Sequence, residues 1–73
     1  MDKAKYQIII QWSNEDDCFL VGLPDFPNQT WRTHGDTYDQ AFSNGIEALE
    51  SLIMAYELSD TPLPEPKIIR KAA

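Results

Sequence analysis

The chain has 73 residues, one cysteine, a mean hydropathy of −0.43 and a formal net charge of −6. Between Tyr6 and Pro66 eleven acidic residues face Arg32 alone, a net of −10, which argues against direct nucleic-acid binding because such binding draws on Lys and Arg at phosphates. A lone thiol excludes an intrachain disulfide framework or a multi-cysteine metal site; no apolar run reaches the roughly 18 residues of a membrane span or resembles a signal-peptide core, so a cytoplasmic location without membrane contact is expected.

Lys5 to Trp12 alternates Tyr6, Ile8, Ile10 and Trp12 against Gln7, Ile9 and Gln11, which predicts a first strand. Ser13 to Asp17 supplies turn formers and charge, and Cys18 to Leu23 is a second apolar run of strand length, so the two predict an antiparallel hairpin. Both faces of that hairpin carry apolar groups, and one helix can cover only one of them. Pro24-Asp25-Phe26-Pro27-Asn28 ends the second strand, with an Asx-turn expected at Asp25. Gln29 to His34 is rich in β-branched and aromatic residues and predicts a third, shorter strand, and Gly35 permits a sharp turn after it.

Residues 36–59 predict one long amphipathic helix. Thr37 and Gln40 have capping-box spacing, and Asp36 and Asp39 suit the positive end of the helix dipole. Tyr38, Ala41, Phe42, Gly45, Ile46, Leu49, Leu52, Ile53 and Tyr56 recur at three- and four-residue steps and define the expected buried face. Pro62 and Pro64 forbid continuation, and Lys67 to Arg70 reads as a short amphipathic strand. The expected fold is therefore a single α+β domain over residues 1–73. It has two layers in the order β-β-β-α-β, with a three-stranded antiparallel sheet, a short C-terminal strand and one long helix on one face. So short a chain buries only roughly 60% of its unfolded surface, less than a larger domain does, and self-association into a dimer or tetramer is expected.

The residues give little support to catalysis. His34 is the only histidine, and beside Asp36 it could serve a metal-dependent hydrolase, but helix capping already accounts for Asp36 and Asp39, and no ligand-spaced partner accompanies them. Glu15, Asp16 and Asp17 lack the glycine-punctuated spacing of a calcium loop and read as a solvated turn. Cys18 lies next to Asp16 and Asp17, which disfavour a thiolate. Gly45 within the helix reads as a point of close approach to the sheet. Trp12 and Trp31 are each either core or interface anchors. No cofactor and no metal are expected. The candidate contacts for a partner are Asp16, Asp17, Trp31 and Arg32, chosen for their chemistry and expected exposure.

Taken together, the Tyr-initiated apolar strand, the charged hairpin, Leu23-Pro24-Asp25-Phe26-Pro27, the Gly35-Asp36-Thr37-Tyr38-Asp39-Gln40-Ala41 opening of the helix, the Asn44-x-x-Glu47-Ala48-Leu49 pattern and the closing Pro62-Leu63-Pro64-Glu65-Pro66 resemble the HicB-like antitoxin family over almost the whole chain. Asn28 and Asp60 stand where that family commonly has glycine, and both tolerate positive φ. The resemblance implies a truncated ribonuclease H-like domain without nuclease activity, because no acidic residue lies within Lys5 to Trp12 to begin a metal-binding carboxylate cluster. It implies a non-enzymatic role in a type II toxin–antitoxin system, sequestering a small basic HicA-like toxin that cleaves mRNA. Typical members carry a C-terminal DNA-binding segment. This chain ends at Ala73, about where that segment would start, so a short member lacking it is expected. The alternative is an orphan module that only self-associates or binds another cellular protein.

Overall fold

Turn formers between two apolar runs fold the first part of the chain back on itself. A computed structural model describes residues 5–69. Strand β1 (Ile9–Ser13) pairs antiparallel with β2 (Cys18–Gly22), from Ile9 opposite Gly22 to Ser13 opposite Cys18. Strand β3 (Thr33–Gly35) lies on the other side of β2, with His34 opposite Leu20. Helix α1 (Tyr38–Leu58) crosses one face of this three-stranded antiparallel sheet. The architecture is α+β, as expected.

Strand parity divides the side chains. Ile10, Trp12, Phe19, Val21 and Thr33 stand on the helix side, whereas Ile9, Gln11, Leu20 and His34 stand on the outer side. The core gathers under the second half of the helix, where Tyr6, Leu23, Phe26, Leu49 and Leu52 are buried together. Full burial of Leu23 and of Leu49 contributes roughly 1.5–3 kcal/mol each. Gly45 lets the helix approach closely, as its sequence position suggests: a Cβ there would sit 3.0 Å from Val21 Cγ1 and 3.3 Å from Ile8 Cγ2.

The helix begins and ends by hydrogen bonding. Thr37 Oγ1 accepts from the Gln40 N–H at 3.0 Å, and Gln40 Oε1 accepts from the Asp36 N–H at 2.6 Å, a capping box shifted by one residue at its second bond. At the far end the Thr61 N–H donates to Tyr56 O at 2.9 Å and the Asp60 N–H to Glu57 O at 3.2 Å, which with Asp60 at φ 55° is a Schellman motif. Asn28, at φ 64°, likewise holds the left-handed conformation that it can tolerate, and so does Asp17, at φ 53°.

Several expectations are corrected. The first strand starts at Ile9, not Lys5, because the Gln7 N–H is taken by Asp25 Oδ2 at 2.9 Å. The second ends at Gly22, one residue early. The third spans Thr33–Gly35 instead of Gln29–His34: the Thr30 carbonyl crosses so close to Gly22 that a Cβ there would meet it at 2.1 Å, and that crossing excludes regular pairing. Gly35 has no positive φ, and its smallness serves close approach, since a Cβ would lie 2.4 Å from Ala41 N. No Asx-turn forms at Asp25. Its buried carboxylate instead accepts from the Gln7 and Lys67 N–H groups, at 2.9 and 3.2 Å, and from Gln7 Nε2 at 3.3 Å. Lys67, Ile68 and Ile69 belong to no strand, and Arg70, the end of the expected C-terminal strand, lies outside the described residues.

Candidate functional site

A helix of 21 residues is about 30 Å long, whereas five-residue strands reach about 17 Å, so the helix overhangs its sheet. Its lateral position is set by one flank. Asn44 Nδ2 donates to the His34 carbonyl at 2.7 Å, and Ala41 packs against Gly35, which seats that side over β3. The opposite flank, bearing Tyr38, Phe42 and Ile46 at four-residue steps, is thereby turned toward β1.

This placement overturns part of the predicted core. Ala41, Gly45, Leu49 and Leu52 are buried, but Tyr38 is 65% exposed and Phe42 54%. Tyr38 still stacks on the sheet through Phe19, at 4.3 Å between ring centroids, and Phe19 meets Trp12 edge-on at 5.1 Å. Trp12 is 46% exposed, and its indole N–H donates to Asn14 Oδ1 at 2.7 Å, which satisfies its one polar atom. Trp12, Phe19 and Tyr38 therefore form a row, with Phe42 one helical turn further along. Large aromatics grouped at a surface characterise interface cores. Periodicity alone missed this row because Tyr38 and Phe42 share the spacing of core residues, and only the seating of the opposite flank on β3 through Asn44 turns them outward.

Carboxylates border the row. Asp39 lies one residue beyond Tyr38, and Glu47, Glu50 and Glu57 continue along the exposed side of α1, which contains no Lys or Arg. Asp16, Asp17 and Asp36 collect around Cys18 at the same end of the molecule. Burial and then the charges of Asp16, Asp36 and Asp17 push the Cys18 thiol above its ordinary value, against any role as a nucleophile.

The four partner-contact candidates do not form one patch. Asp16 and Asp17 are exposed in the β1–β2 turn, where Asp16 Oδ2 accepts from Ser13 Oγ at 2.8 Å. Trp31 and Arg32 lie at the other end of β2. The Trp31 ring lies beside Gly22 and is 46% exposed, and the Arg32 guanidinium donates to Gln29 Oε1 at 3.4 Å. The span of β2 separates the pairs by roughly 13 Å. His34 is exposed on the outer face, and among the described residues no three His, Cys, Asp or Glu side chains converge to hold a metal ion. Nor, among those residues, is any helix long and apolar enough to cross a membrane. No family model matches the chain, and neither a curated protein nor a solved structure matches it.

Proposed function

We propose that this protein is a non-enzymatic, antitoxin-like binding module of the cytoplasm that sequesters a small basic ribonuclease toxin of the HicA-like kind. The observation that carries this reading is the exposed row of carboxylates on α1, Asp39, Glu47, Glu50 and Glu57, in a helix without a single basic residue. Such a field accelerates and orients association with a cationic protein and rejects phosphate backbones. The three antiparallel strands followed by a helix agree with the α+β part of the fold that the resemblance implies.

A second reading, an orphan module that covers its own surface by self-association, draws on the outer sheet face, where Ile9 is 41% and Trp31 46% exposed. One experiment separates the two. The tagged chain, captured from its native host at moderate salt, should retain a single small basic protein in near-equal amount, and that protein's RNA cleavage should stop when this chain is added. Recovery of only the untagged copy of itself would replace the first reading with the second.

A further inference from the structure

We infer that the Trp12–Phe19–Tyr38 row, extended by Phe42, is a docking surface for arginine side chains of a basic protein partner. The inference rests on the proposed basic partner and names the surface and the side-chain chemistry that would meet it. A guanidinium is planar, weakly hydrated and permanently charged, so it stacks on aromatic faces more favourably than an ammonium does. The row offers such faces: Tyr38 is 65% and Trp12 46% exposed, and Phe19 holds them 4.3 and 5.1 Å from its own centroid. Phe19 is half-buried and fixed by β2 pairing, so the platform exists before the partner arrives.

Charge complementarity selects the occupant. Asp36 and Asp39 flank Tyr38 in sequence and are exposed, and Asp16 stands in the turn that follows the strand bearing Trp12. The negative field of these carboxylates favours a guanidinium on the rings, whereas an acidic or purely apolar segment would leave those carboxylates opposed or desolvated. A second copy of this chain suits the row poorly, because it would bring one acidic border against another.

The test uses the full chain carrying Trp31→Phe, which leaves Trp12 as its only tryptophan. Hexa-arginine and hexa-lysine peptides are titrated separately while Trp12 emission is followed. Hexa-arginine should perturb Trp12 and bind roughly two- to fivefold more tightly than hexa-lysine of equal charge. Tyr38→Ala and, separately, Phe42→Ala, each checked for an unchanged helical circular dichroism spectrum, should abolish that preference. Glu57→Gln, far along the helix, should weaken both peptides equally. Equal affinities for the two peptides, or a preference that survives Tyr38→Ala, would overturn the inference. So would a concentration-dependent Trp12 change without peptide that accompanies a dimer mass, since a second copy would then occupy the row. A toxin whose inhibition survives Tyr38→Ala would refute this surface while leaving the sequestration reading intact.

Discussion

Asp60 offers a direct test of how the helix ends. It occupies the position of the Schellman motif that glycine normally fills, at φ 55°, and it places a negative charge at the negative end of the helix dipole. The left-handed conformation costs an ordinary L-residue about 1–2 kcal/mol, with aspartate at the lower end of that range. Asp60→Gly removes that strain and about 0.3 kcal/mol of dipole repulsion at an exposed site, and returns about 0.4–1 kcal/mol to the unfolded chain as backbone freedom. The balance is a stabilisation of about 0.5 kcal/mol, which in a domain of this size raises Tm by about 2–4 °C. Asp60→Asn keeps a residue tolerant of positive φ while removing the charge, so its smaller gain isolates the dipole contribution. Urea unfolding of the three proteins at low salt measures both. A glycine variant less stable than the parent would show that the helix does not close through a left-handed residue here.

Removing the Asp25 carboxylate should separate the chain ends from the body. Asp25→Ala leaves the Gln7 and Lys67 N–H donors without their acceptor, for a loss of about 2–4 kcal/mol from two charge-assisted bonds; amide exchange at both residues should accelerate, and unchanged protection at Lys67 would refute the clamp. Alkaline pH should destabilise the fold through Tyr6 and Cys18. Burial, then Asp25 and Tyr56, raise the Tyr6 phenol above 10.0, and burial with neighbouring carboxylates raises the Cys18 thiol above 9.0. Both pKa values are higher in the folded state, so the stability these groups contribute is complete below their ordinary values and is lost as pH rises through the folded ones. Urea midpoints should therefore fall above about pH 9, and at pH 8 Cys18 should react with a disulfide reagent more slowly than a free cysteine peptide does.

The elements that could be read from sequence were those whose determinants are local. The helix carried its own start signal in Thr37 and Gln40 and its own period through Leu49 and Tyr56. What could not be read depends on partners distant along the chain. The Asp25 carboxylate is bound by residues 18 and 42 positions away, and nothing in its own neighbourhood announces them. Gln29 to Arg32 has strand composition, but its path is dictated by the crossing over Gly22, and composition says nothing about paths. Tyr38 and Phe42 share the spacing of core residues. Only the pinning of the opposite flank to β3 through Asn44 turns them outward, so the aromatic half of the candidate surface was hidden within a correct helical pattern.

The acidic half was visible from composition, and its energetic meaning follows from where the fold places it. Asp39 is favourable in the first turn of α1, but Glu57 in its last turn and Asp60 beyond it oppose the dipole, and no basic side chain in that turn offsets them. The isolated protein thus carries a self-repulsion that a cationic partner would relieve, and one set of charges acts with opposite sign on stability and on binding. Raising ionic strength from 0.01 to 0.15 M shortens the Debye length from about 30 to about 8 Å. That change should raise the urea midpoint of the free protein while it lowers both the association rate and the affinity for hexa-arginine. Glu57→Lys should mimic high salt in both respects, stabilising the free chain by about 0.5–1 kcal/mol through the dipole and weakening the peptide complex. A helix stabilised by salt with no loss of peptide affinity would mean that its carboxylates burden the fold without serving recognition.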